Sequence, residues 1–163
     1  MSWPVVLIAA TLGVAPVAHE HPVYSAESCP ITRPSLPFVP PAPYPIVPSG
    51  EGFWHGTAAF WTLLRVDGYW SLSEGAGPFT QKIFWWRPGF NGSVENFSDL
   101  TVTLRNLATG ELTIATRKAT NASHKMFGGS VMLTGIRIPS YGCWEVTGEH
   151  RGHEVSFIVW VAP

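Results

Sequence analysis

The stretch Cys143-Trp144-Glu145-Val146-Thr147-Gly148-Glu149-His150-Arg151-Gly152-His153-Glu154-Val155-Ser156-Phe157-Ile158-Val159-Trp160-Val161 decides the fold. Two runs of alternating apolar and polar residues flank Arg151-Gly152, a pair suited to a two-residue hairpin turn. With that turn, His150 opposes His153, Val146 opposes Phe157 and Trp144 opposes Val159, all on one face. Glu145 with Ile158, Thr147 with Ser156 and Cys143 with Trp160 share the other face. A slip of one residue would bury Glu145, so a single register satisfies both strands. Trp144, Val146, Phe157, Val159 and Val161 are therefore expected in a core, and Cys143 on the outer side of the pair.

Upstream, short apolar and Thr-rich runs at residues 56–66, 69–73, 79–87, 100–106, 111–116 and 130–138 read as further strands, separated by Gly, Asn, Asp and Pro. Asp67-Gly68 has the form of a hairpin turn between the first two. Residues 117–129 read as a polar loop. No stretch keeps the apolar spacing of a helix. The pattern predicts an all-β fold over residues 51–163, an immunoglobulin-like two-sheet antiparallel sandwich. Ahead of it, residues 19–50 form an arm, with eight prolines in the 19 residues from Pro30 to Pro48. Such a segment runs extended, and its interleaved Leu36, Phe38, Val39, Tyr44, Ile46 and Val47 are too apolar for a free linker. The arm is expected to lie on the domain.

Residues 1–18 carry no charge beyond the amino terminus, and 5–10 form an apolar run, which reads as a signal peptide with its exact cleavage site open. The run is shorter than the roughly 20 residues that span hydrocarbon, so export is expected without a stable membrane span. The two cysteines, Cys29 and Cys143, agree with export, because an even count in an oxidising compartment is usually a bridge. The alternative is a pair of free thiols in a reducing cytosol. A bridge to an outward Cys143 would draw the arm across Ile158 and Trp160 and clamp it there. With 10 Lys+Arg against 11 Asp+Glu and no basic run, nothing could release phosphate counterions, which excludes nucleic acid as a partner.

The segment 138–148, Ile-Pro-Ser-Tyr-Gly-Cys-Trp-Glu-Val-Thr-Gly, followed by Val155-Ser156-Phe157-Ile158-Val159-Trp160-Val161, resembles the ending of a family of uncharacterised, exported bacterial proteins. Cys29-Pro30-Ile31-Thr32, Phe53-Trp54-His55-Gly56 before Leu63-Leu64, and Lys82-Ile83-Phe84-Trp85-Trp86-Arg87 extend the resemblance over most of the chain from Cys29. It implies an exported immunoglobulin-like sandwich and brings no assigned reaction or catalytic residues.

Candidate chemistry is sparse. His150 and His153, as cross-strand neighbours, could hold a transition metal if a third ligand arrived, although polar residues at a hairpin tip are the ordinary outcome. Cleavage after Ala18 would expose His19 as an amino-terminal copper ligand, given a second histidine such as His55 or His124. Asp67, Glu74, Glu95, Asp99 and Glu111 fall in turns or at strand ends, with none paired by sequence for acid–base hydrolysis. Adjacent strand residues face opposite ways, so either Trp85 or Trp86 points outward, where it could stack on a sugar, pair with Arg87 or sit under the arm. The composition and motifs thus predict an exported, non-catalytic binding or structural protein without a cofactor, whose partner is a protein or glycan outside the cytoplasm. The alternative is a carbohydrate-binding module using an exposed tryptophan, or a copper-dependent oxidative enzyme using His19.

Overall fold

The computed structural model describes residues 22–35, 38–48, 50–71, 80–95, 99–115, 122–127 and 129–162, excepting the side chains of residues 80 and 122–125. The leader and His19 lie outside the described residues. Ten strands follow in order: β1 (Gly52–Gly56), β2 (Trp61–Arg65), β3 (Tyr69–Ser71), β4 (Thr80–Trp86), β5 (Thr101–Asn106), β6 (Leu112–Ala115), β7 (Ala122–Met126), β8 (Gly129–Arg137), β9 (Gly142–His150) and β10 (His153–Ala162). They form two five-stranded sheets, β1-β2-β4-β8-β7 and β3-β10-β9-β5-β6. The order β2-β4-β8-β7 facing β5-β9-β10 is the four-against-three arrangement of an immunoglobulin-type sandwich, with β1, β3 and β6 added at its edges.

The last hairpin adopts the expected register, with His150 opposite His153, Phe157 opposite Val146 and Trp160 opposite Cys143. Trp144, Val146, Phe157, Val159 and Val161 are buried in the main core, and Glu145 faces outward to meet Arg105 at 2.7 Å. Trp85 enters this core from β4 and stacks on Phe60 at 5.3 Å. Its indole fills the space above Gly148, where a Cβ would stand 2.4 Å from the ring. Only glycine leaves β9 room for that ring.

Three expectations are corrected. The run at 56–66 is not one strand: it breaks at residues 57–60, and β1 folds back antiparallel onto β2. The segment taken as a polar loop contains β7, which pairs with β8 from Ala122 opposite Leu133 to Met126 opposite Gly129. Asp67-Gly68 does not turn a hairpin. A backbone turn forms there, the Gly68 N–H donating to the Arg65 carbonyl at 3.1 Å, and the Asp67 carboxylate reinforces it by accepting the Tyr69 N–H at 3.0 Å and holding Arg65. The chain thereby changes sheets, and β3 runs parallel to β10, with Trp160 opposite Tyr69. This one parallel pair supplies the edge of β10 with a partner.

The arm is bound covalently by a Cys29–Cys143 disulfide across a sequence separation of 114. Thr32 then joins the edge of β10, donating its N–H to the Ile158 carbonyl at 2.9 Å while its hydroxyl accepts the Ile158 N–H at 2.8 Å. The expectation that the prolines lie across Ile158 and Trp160 holds only for this first part. Beyond Thr32 the arm rounds the edge of the sandwich and covers the outer face of the opposite sheet. There Tyr44 sets its ring edge-on to Trp61 at 5.4 Å and Trp54 at 6.4 Å. The Trp54 indole N–H donates to the Pro45 carbonyl. This second apolar cluster includes Trp54, Trp61, Trp86 and Val131 with Phe38 and Tyr44. It explains why β4 and β8 are apolar on both faces, unlike a sheet with one wet side.

Candidate functional site

Neither Trp85 nor Trp86 offers a ring to solvent: both are 0% exposed, Trp85 in the main core and Trp86 under the arm. The outward indole of this pair is thus arm packing and not a sugar platform. Arg87 is taken up elsewhere, in an ion pair with Glu95, which also holds Arg151 of the β9–β10 turn at 3.1 Å. Burial alone would raise the Glu95 carboxyl, but the hydrogen bond from Arg87, the Asn91 N–H and the two guanidinium charges outweigh it and hold the carboxyl below its ordinary value.

His150 and His153 are cross-strand neighbours as expected, yet they meet different surroundings. His153 is exposed, whereas His150 is 1% exposed and lies against Phe60 with ring centroids 6.0 Å apart. Neither ring nitrogen of His150 has a hydrogen-bond partner among the described residues. Burial pushes this imidazole below its ordinary value, and the charges of Arg87 and Arg151 add to the effect against those of Asp99 and Glu95. Among the described residues no three His, Cys, Asp or Glu side chains gather as metal ligands. His55 gives its Nε2 to the Ser156 carbonyl at 2.9 Å, which ties β1 to β10.

The sequence reading missed the feature most suited to binding, a cleft of about 280 Å³ between β2 and β4. These strands pair only at Trp61 with Trp86 and Thr62 with Trp85, and no register pair joins Leu63–Arg65 to Gln81–Phe84. The cause is the change of sheets at Asp67: β2 must leave β4 to deliver β3 to β10. Leu64, Trp70 and Ile83 form the apolar floor, and Glu51, Arg65 and Lys82 stand around it. The direction of the backbone is fixed by its neighbours. Val66 and Thr57 donate to Glu51 and Phe60, so the amides of Thr62 and Leu64 serve β1, while those of Leu63 and Arg65 turn toward β4. On the other wall, the Phe84 carbonyl accepts the Thr62 hydroxyl at 2.8 Å. By strand alternation Lys82, two residues earlier, presents its N–H and C=O to the same cleft. Among the described residues its carbonyl meets a side chain, the Gln81 amide at 3.2 Å.

No protein-family model, curated protein or solved structure matches the chain. Among the described residues no helix is long and apolar enough to cross a membrane.

Proposed function

We propose that this protein is an exported, non-catalytic binding module of the uncharacterised bacterial family it resembles, working at the cell surface or beyond it. The observation that carries this reading is the β2–β4 cleft, an apolar-floored opening inside a sheet, beside strand edges that have no ladder partner among the described residues. Two of the carboxylates that hydrolysis would call on are committed to arginines: Asp67 to Arg65, and Glu95 to Arg87 and Arg151. The buried Cys29–Cys143 bridge supports an oxidising compartment.

The test has two parts. Intact mass and amino-terminal sequencing of protein recovered from the producing cell should show a removed leader and no free thiol. The same material, screened on a displayed peptide library and on a glycan array, should select ligands whose binding is lost when the cleft is blocked by Leu64→Trp or Ile83→Trp. An intact leader with reduced cysteines defeats the export reading, and the absence of any selected ligand defeats the binding reading.

A further inference from the structure

We infer that the β2–β4 cleft binds an extended polypeptide segment, which adds a strand to the open edge of β4 at Lys82. This rests on the binding-module reading above and names its ligand class. Three observations point the same way. First, an unpaired strand edge offers N–H and C=O groups at strand spacing, and an extended peptide backbone is the ligand that complements them. Along the β2 side of β4, the Phe84 carbonyl meets the Thr62 hydroxyl beside the last Thr62–Trp85 pair, whereas the Lys82 carbonyl meets the Gln81 side-chain amide and Lys82 has no ladder partner on that side among the described residues. Such side-chain contacts yield readily to an incoming strand, since each net hydrogen bond is worth only about 1 kcal/mol.

Second, the floor is aliphatic and aromatic, formed by Leu64, Ile83 and the rim of Trp70, itself 8% exposed. Alternate side chains of a bound strand would enter it, whereas a sugar would need a broad exposed ring face. Third, Lys82 is exposed and has no carboxylate within ion-pair distance among the described residues, while Arg65 opposite is already held by Asp67. The unneutralised cation favours a segment that carries an acidic residue beside an apolar one. The ligand is therefore an extended, apolar stretch of polypeptide with an acidic side chain placed over Lys82.

The test uses the isotopically labelled secreted protein and three probes. These are a capped peptide of alternating valine and glutamate, the same peptide N-methylated at every second residue, and a chitin hexasaccharide. The plain peptide should shift the amide resonances of Lys82 and Phe84, and N-methylation should weaken binding about tenfold, the equivalent of one or two lost net hydrogen bonds. Lys82→Pro should weaken the plain peptide similarly, because it removes a donor that faces the cleft and leaves the ladder to β8 in place. Should that variant misfold, the N-methylated peptide on the unaltered protein still decides. Equal affinity after N-methylation, or shifts confined to another surface, would overturn strand addition while leaving a binding module. Occupation of the cleft by the oligosaccharide alone would overturn the peptide ligand in favour of a sugar. Silence from all three probes, with ligands still selected by the peptide library, would overturn this site only. Silence in both experiments would overturn the site and the module together.

Discussion

Removing the bridge by Cys29→Ala with Cys143→Ala should be the most costly change outside the main core. The two residues are 114 apart in sequence, and closing a loop of that length lowers the entropy of the unfolded chain by an amount worth about 5 kcal/mol in the chain model. Both sulfurs are buried, Cys29 at 7% and Cys143 at 0%, so small voids add to the loss. Against a whole-domain stability of about 5–15 kcal/mol, that is a third or more of the total. Urea unfolding followed by tryptophan fluorescence should show a loss of about 3–5 kcal/mol. The slope should steepen as well, because an unbridged unfolded chain exposes more surface. A loss below about 1 kcal/mol with an unchanged slope would refute the reasoning. It would mean that Thr32 and Tyr44 hold the arm unaided and that the bridge contributes little to the fold.

Three further outcomes follow from particular contacts. Gly148→Ala places a Cβ 2.4 Å from the Trp85 ring and should cost about 1–3 kcal/mol, seen as a lower thermal midpoint. Tyr44→Ala removes edge contacts to Trp54, Trp61 and Trp86; at about 0.5–1.5 kcal/mol each it should destabilise by about 2–4 kcal/mol and redden the tryptophan emission as the arm lifts. His150 has a folded value below its ordinary 6.5, so its contribution is fully present above that pH. It is lost as pH falls through 6.5 toward the folded value, and it levels off below. Urea midpoints between about pH 8 and about pH 5 should show this decline, and His150→Phe should flatten it.

The final hairpin was legible because strand alternation and turn chemistry agree there: Glu145 had to face water, and that requirement placed Trp144, Cys143 and Phe157 at once. The arm's attachment was legible through Cys143, whose parity put it outside the core. What the sequence concealed depends on contacts distant along the chain. Asp67-Gly68 has the composition of a hairpin turn, yet the Asp67 side chain bonds to Tyr69 and Arg65 and sends β3 to the other sheet. The cleft exists because of that diversion, so local pattern could not reveal it. For the outward member of the Trp85–Trp86 pair the sequence left a sugar platform, Arg87 and the arm all open, and only the fold shows that it is Trp86 and that Tyr44 covers it. The isolation of His150 shows the same limit: its parity marks it as inward, but only the packed hairpin end shows that neither nitrogen finds a partner.

The arm's position imposes an order on how the molecule is assembled. Cys29 is made early, but its mate lies in β9, and the edge that Thr32 joins belongs to β10. During synthesis or translocation the first sulfur must wait through eight strands, and the aromatic patch on the outer sheet stays uncovered meanwhile. Distant pairings of this kind are slow to form and leave sticky surfaces open to other chains. Closure of the strap is therefore a late event, and yield in a foreign host should respond to the supply of oxidant and of holding chaperones more than to improvements in the core.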